Sequence, residues 1–285
     1  MKKSLVLVML VVALVAVSVF GFAACNKKTY TIGVQQATTG EYYVKGDSDW
    51  EFEGFSNLAY NPYSNGGLAV QAMKNGSVNA VIIDVAPAKA LAAEIEGIKV
   101  IDIPLTKEEY GFGVDKNQPE LLNAINAIMA TEEFATKKAA IMKAYTDGDE
   151  SSFHPVTAKT TQGSDPSKEL VVATNAEFNP FEYKDGTNFL GIDMEIAAYF
   201  AEKLNLELVI LDMEFDSVVT SIGKNDVDIA MSGLTITAGR KQSVNFTTPY
   251  YQEEGVGQVL VVLESDTTFD NCKTAADVEA ILKSL

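Results

Sequence analysis

Lys168 to Gly186 reads KELVVATNAEFNPFEYKDG. A run of strand formers, Glu169 to Ala173, gives way to a turn in which Phe178 and Phe181 flank Asn179-Pro180, the composition of a strand entering a tight loop. The stretch reads like the start of a mature protein, yet it stands in the middle of 285 residues. The stretch just before it, TDGDESSFHPVTAKTTQGSDPSK from Thr146 to Lys168, is rich in Ser, Thr, Asp, Gly and Pro and reads as a linker. Extended at about 3.3 Å per residue it reaches on the order of 70 Å, enough to join distant points on a compact body.

On both sides of that linker, short apolar runs alternate with amphipathic helical ones, the α/β pattern. Tyr30 to Val34, Ala80 to Ile83, Lys99 to Ile103 and Gly111 to Val114 are the expected strands of the first half. Glu169 to Ala173, Glu207 to Leu211, Val227 to Met231 and Gly257 to Leu263 are those of the second. Asp193 is placed to cap a helix whose Ile196, Ala197, Phe200 and Leu204 share a face, and Pro119 suits the first turn of another. Thr274 and Asp277 are spaced as a capping box before the stripe Val278, Ile281, Leu282 and Leu285. MKNGSVNAVIID (Met73 to Asp84) and GKNDVDIAMSG (Gly223 to Gly233) echo each other, each passing from a helix end through a Lys-Asn turn into a strand. Two α/β units would thus present polar groups at the carboxyl ends of strands, where open α/β sheets bind ligands.

The amino end carries Lys2 and Lys3, an apolar run from Leu5 to Ala24, and then Phe22-Ala23-Ala24-Cys25. That is a signal-peptide layout over residues 1–24, and small residues before a Cys resemble a lipoprotein cleavage site, with Cys25 lipidated. An uncleaved membrane anchor is the plain alternative, since about twenty apolar residues span a bilayer. Both readings place the rest outside the cytoplasm. Loss of the two lysines takes the formal charge from −17 to −19, which speaks for a solvated acidic surface and against nucleic acid. Cys272 is the only other cysteine, and the only histidine, His154, sits in the polar linker, so neither a staple nor a His-based metal site or triad is expected.

Arginine is the informative residue, because Arg240 is the only one in the chain. It follows SGLTIT (Ser232 to Thr237), where small residues let backbone N–H groups and hydroxyls approach a ligand, and its planar fork matches a carboxylate. A surface arginine is the alternative. Asp84 ends the strand AVIID at its carboxyl edge, where it suits either an ammonium group or the N-cap of a helix with Pro87 in its first turn. GVQQATTG (Gly33 to Gly40) leads a strand into Thr38 and Thr39, whose hydroxyls and N–H groups suit an anion, although the glycine spacing of a phosphate loop is missing. Phe178 and Phe181, beside Asn-Pro, are usually core plugs, but a loop aromatic can also wall a pocket.

Taken together, LVVATNAEFNPFEY, GIDMEIAAYFAEKL, DVDIAMSGLTIT with its arginine, FTTPYY, GQVLVV and TAADVEAILKSL, then IGVQQATTGEYY, AVQAMKNGSVNAVIID and YGFGVDKNQPELLNAINAIM, resemble the bacterial extracellular solute-binding proteins of family 3. These serve polar amino-acid ABC importers and have the two-lobed type II periplasmic binding protein fold. The resemblance covers nearly the whole mature chain, but the family's later part comes first here, so it implies a circular permutation in which residues 146–168 join the usual C-terminus to the usual N-terminus. Lobe 2 would comprise residues 25–109 and 261–285, and lobe 1 residues 110–260.

The resemblance further implies site residues. Arg240 falls where the family holds an α-carboxylate and Asp84 where it holds the α-amino group. Gly233 and Thr235 match its lobe 1 contacts, Thr38 and Thr39 its lobe 2 loop, Phe178 and Phe215 its aromatic walls, and Asn175 and Gln35 the positions that set side-chain specificity. Three positions depart from the family pattern: Ala37 stands for a usual glycine, Gly239 for a usual acidic residue, and FTTPYY for FSDPYY. The implied function is a monomeric, lipid-anchored receptor without a cofactor that captures an amino acid, glutamine first since Asn175 and Gln35 are uncharged, and delivers it to an ABC permease. An enzyme on the same fold, such as a cyclohexadienyl dehydratase, and a non-transport amino-acid sensor are the alternatives.

Overall fold

The computed structural model describes residues 29–224, 227–252 and 255–285. The apolar leader and Cys25 therefore lie outside the described residues. Among those described, no helix is long and apolar enough to cross a membrane.

The chain begins with β1 (Thr31–Gln35), α1 (Thr39–Lys45), β2 (Ala59–Tyr63), α2 (Gly66–Lys74), β3 (Ala80–Asp84), α3 (Val85–Glu94) and β4 (Ile98–Ile101). β1 pairs in parallel with both β2 and β3. The sequence pattern does not reveal β2, because Pro62 removes a ladder donor. β2 tolerates it as an edge strand, pairing only with β1.

The chain then crosses into a second body: β5 (Gly113–Val114), α4 (Pro119–Met129), α5 (Glu132–Asp147), β6 (Glu169–Thr174), β7 (Glu177–Phe178), β8 (Glu182–Asp185), β9 (Asn188–Leu190) and α6 (Ile192–Leu204). It continues with β10 (Glu207–Asp212), α7 (Phe215–Ser221), β11 (Ile229–Ala230), α8 (Ala238–Lys241) and β12 (Asn245–Phe246). These build lobe 1 around a sheet ordered β10-β6-β11-β5-β12, with β7-β8-β9 as a small antiparallel flap. Two expected strands are shorter than the sequence suggests: Val227 to Met231 keeps only Ile229–Ala230, and Gly111 to Val114 keeps only its last two residues. Their flanking backbone turns into the crossing loops, Gly111 N donating to Leu234 O at 3.0 Å.

The chain finally returns to the first body as β13 (Gln258–Leu263) and α9 (Ala275–Ser284). β13 inserts antiparallel between β3 and β4, giving lobe 2 the order β2-β1-β3-β13-β4. The expected division at 260/261 therefore falls inside a strand; all of β13 belongs to lobe 2, because its ladder runs from Gln258 opposite Asp84 to Val261 opposite Val81. The Thr274–Asp277 capping box forms in full, worth about 1 kcal/mol. Val278 and Leu282 of α9 are fully buried with Ile32 of β1 in one apolar cluster, so the first and last described elements share a lobe.

Two further expectations change. Asp193 does not cap α6: the N-cap is Gly191, and Asp193 lies within the first turn, wholly buried. Residues 146–168 are not a free tether either. Val156 bridges Phe189 and Lys159 bridges Val209, so this segment lies along lobe 1 between α5 and β6. His154 lies on it with an exposed side chain facing Glu195, away from the cleft between the lobes.

Among the described residues, two segments connect the lobes, and they run side by side. Leu105 N donates to Gln258 O at 2.7 Å, Glu108 N to Val256 O at 3.2 Å and Tyr110 N to Tyr251 O at 2.8 Å. Gly257, at φ +154, allows the close approach: a Cβ there would stand 2.2 Å from Thr106 O. A paired double crossing of this kind is the structural form of a hinge.

Candidate functional site

Strand ends supply the site. Gln35 and Asp84 close β1 and β3, and Asn175 comes directly after β6, all at carboxyl ends and all buried. Arg240 comes from α8, a single turn that Thr237 caps by accepting from Arg240 N at 3.1 Å. Nine of the ten residues expected at a ligand site line one interlobe cavity of about 10 Å³. The tenth, Asn175, stands behind Gln35 and accepts from its Nε2 at 3.3 Å. A space of that size holds roughly one water, so the lobes meet closely and a larger guest requires the hinge to open.

Arg240 is buried, and its guanidinium bonds both lobes: Nη1 donates to Thr235 O at 3.0 Å and Nη2 to Ala37 O at 3.2 Å. The rings of Trp50 and Phe215 lie 5.1 Å and 5.3 Å from its central carbon. Burial lowers its pKa to about 10, against the attraction of Glu108 and Asp84, so it stays cationic at neutral pH.

Asp84 occupies the N-cap position of α3 but makes no capping hydrogen bond. Its Oδ1 instead accepts from the Tyr110 hydroxyl. Burial pushes its carboxyl up to about 7, helped by repulsion from Glu108, while hydrogen bonds from Tyr110 and Gln258 pull it down. A buried acid repelled by a second acid is poised to gain from a cation.

The Thr38 loop is pinned in place: Thr38 Oγ1 donates to Gln35 O at 2.8 Å and caps α1 at Glu41 N. Ala37 adopts φ +61, a left-handed conformation costing a non-glycine residue about 1–2 kcal/mol. Across the cleft, Gly233 needs its glycine, at φ +53 and with a Cβ position only 2.7 Å from the Phe178 ring.

Several site residues carry no signal in the sequence. Glu108 sits on the hinge, buried; its Oε2 accepts from Thr39 Oγ1 at 3.1 Å and from Thr235 Oγ1 at 2.6 Å, tying lobe 2 to lobe 1. A groove of about 680 Å³ beside the cleft shares Thr39 and Thr235 with the cavity. Lys107, Lys283 and acids including Glu108 line that groove, whereas Arg240 and Asp84 meet only at the small cavity. Behind Gly233, Asp193 accepts from Gly233 N at 2.9 Å and from the Tyr250 hydroxyl at 2.5 Å. Glu182 accepts from Ser232 Oγ at 2.9 Å, while its other carboxyl oxygen is buried without a partner. Burial first, then repulsion from Asp193, holds Glu182 well above the ordinary range; burial raises Asp193 to about 7.

At the far end from Arg240 the network fixes the amide orientations. Asn175 Nδ2 donates to Met213 O at 2.9 Å, so its Oδ1 takes the Gln35 donor, and Gln35 Oε1 is left buried without a partner. This corner offers a neutral acceptor. No group of acidic, His or Cys side chains among the described residues is arranged to hold a metal.

The model of the bacterial extracellular solute-binding proteins, family 3, matches residues 170–285. The arginine-binding extracellular protein ArtP of Bacillus subtilis is 42% identical over 84 residues, 30% of this chain and 33% of that protein. The cyclohexadienyl dehydratase of Pseudomonas aeruginosa is 31% identical over 85 residues, 30% of this chain and 32% of that enzyme. The matched stretch thus spans about a third of each relative's length. Among solved structures, the arginine-bound form of domain 1 from TmArgBP is 33% identical, with a TM-score of 0.30, covering 42% of this chain and 94% of that one.

Proposed function

We propose, on the premise that residues 170–285 match the bacterial extracellular solute-binding proteins of family 3, that the chain captures a free polar amino acid between its lobes and hands it to an ABC permease. The observation that carries this reading is the placement of one buried arginine and one buried aspartate, from opposite lobes, on a single cavity. An α-amino acid carries a carboxylate and an ammonium on one carbon, so Arg240 takes the first as a fork and Asp84 the second. Thr235, Gly233, Thr38 and Thr39 supply hydroxyl and backbone groups around the carboxylate, and Phe178 and Phe215 wall the guest. Each lobe holds half of the ligand, so ligand binding shifts the hinge toward the closed form.

Glutamine is the first candidate, since its amide N–H suits the unpartnered Gln35 Oε1. A cationic amino acid is the second, favoured by the name of the Bacillus relative and by the second buried acid, Glu108. Dehydration of a cyclohexadienyl acid is the alternative from another class, and Asp84, raised to about 7 on the cavity wall, is the type of acid such chemistry uses. The deciding experiment is calorimetry of the chain from residue 26 onward against the twenty amino acids, with a turnover assay on a cyclohexadienyl acid. Binding of glutamine supports the reading, binding of arginine supports the second, and turnover of the acid replaces both.

The segment order is proposed as a permutation, with residues 29–145 corresponding to the part that the family usually places after the equivalent of residues 170–285. The shared lobe of Ile32 and Leu282 supports it. A chain rebuilt as 168–285 joined to 29–145 should fold and bind alike. Residues 1–24 are proposed as a leader and Cys25 as the lipid anchor of a monomer, which a Cys25→Ser variant tests by its release from membranes.

A further inference from the structure

Trp50, the only tryptophan, stands on a loop that nothing in the ligand reading requires. The loop is built to hold its shape. Asp47 and Phe52 exchange backbone hydrogen bonds of 2.9 and 3.0 Å, Asp47 caps a 3-10 turn at Asp49 N, and Glu51 takes φ +61. Gly46 and Gly54 pinch its base, where a Cβ on Gly54 would lie 2.4 Å from Gly46 N. Trp50 stacks on Tyr42 of α1 with ring centres 4.0 Å apart. Its edge then crosses to lobe 1: a Cβ at Gly239 would meet Trp50 Nε1 at 2.6 Å. The Arg240 guanidinium is thereby flanked by an indole from lobe 2 and a phenyl ring, Phe215, from lobe 1. Arg240 also borders an outer groove of about 340 Å³, and both rings line that groove.

We propose that Trp50 is a positioning residue that latches the closed lobes, seating against Gly239 and shielding Arg240 from the outer groove, so that it sets how long the amino acid stays bound. This rests on the reading of Arg240 as the carboxylate holder. The contact forms only when the lobes meet, so it contributes to the closed state and to ligand dissociation, with little effect on encounter. Water excluded from the guanidinium strengthens its grip on a carboxylate, and the ring adds a cation–π contact. Glycine at 239, where the family pattern has an acidic residue, leaves the seat open for the indole.

The test measures dissociation of tritiated L-glutamine and L-arginine by rapid filtration, with Kd from calorimetry, for the unmodified chain, Trp50→Ala, Trp50→Phe, Gly239→Ala and the double variant Trp50→Ala/Gly239→Ala. Trp50→Ala should speed dissociation roughly 3- to 30-fold, with association unchanged, and Trp50→Phe should restore part of the loss. Gly239→Ala, which drives a methyl into the indole, should do as much. In the double variant the methyl meets no ring, so it should match Trp50→Ala within about twofold, a non-additivity expected of groups in contact. Tryptophan emission of the unmodified chain should shift to the blue on binding. Additive effects, or unchanged dissociation in both single variants while Arg240→Ala abolishes binding, overturn the latch and leave the ligand reading intact. Failure of both amino acids to bind the unmodified chain overturns the ligand reading and the latch with it.

Discussion

Replacing Glu182 by Gln should stabilise the protein at neutral pH and leave it nearly unchanged at acid pH. Glu182 is wholly buried, receives one hydrogen bond from Ser232, and has a second carboxyl oxygen with no partner beside the equally buried Asp193. Burial and that neighbour hold its pKa well above the ordinary 4.5. A native carboxyl raised in this way favours folding fully below its unfolded pKa, and the contribution is lost as pH rises toward the native value. Each pH unit in which the native group stays protonated while the unfolded one is ionised costs about 1.4 kcal/mol. Glu182 therefore destabilises the fold increasingly as pH rises from its unfolded pKa toward its raised native one, and Asp193, raised to about 7 from 3.8, acts in the same direction up to about pH 7. Glutamine keeps the volume and the acceptor for Ser232 but does not titrate. The advantage of Glu182→Gln should grow from pH 5 to 7, by about 1.4 kcal/mol for each pH unit over which the native acid stays protonated, or about 2–4 °C in Tm per kcal/mol. Scanning calorimetry of both proteins at pH 5, 6 and 7 reads this directly. Parallel stability curves would show that Glu182 is not held protonated, and would refute the buried acid pair behind the Gly233 loop.

Ala37→Gly should raise stability by about 1 kcal/mol, because Ala37 sits at φ +61; urea unfolding checks it, and a loss of stability would deny the left-handed turn. Asp84→Asn should weaken amino-acid binding by about 2–5 kcal/mol, as loss of one partner of a buried charge pair does. The same change should raise the melting temperature of the free protein, since the raised pKa of Asp84 comes first from burial and then from Glu108; thermal shift with and without ligand separates the two effects. Asn175→Asp places an acid at the side-chain end beside Gln35 and should move preference from glutamine toward arginine at least tenfold, read as a ratio of Kd values.

Strand ends were the legible part of this molecule. Gln35, Asp84 and Asn175 each come after an apolar run whose end is visible in the sequence, and the parallel pairing of β1 with β3 brings the first two together on one edge. Arg240 was legible through its rarity and the small residues before it. Glu108 was not, because its partners Thr39 and Thr235 lie 69 and 127 residues away and no local pattern marks a hinge acid. Asp193 looked like a helix cap because spacing carries no information about burial; in the fold its carboxylate turns inward to Gly233 and Tyr250. Trp50 lay on a loop with no periodicity, and only the facing glycine at 239 gives its position meaning.

The central claim is that one amino acid bridges Arg240 and Asp84 across the cleft. Calorimetric titration of the unmodified chain and of Arg240→Ala with the amino acid that binds, at pH 7.5, tests it most directly. One site per chain is expected in the first and no measurable heat of binding in the second. Equal affinity in the two proteins would contradict it.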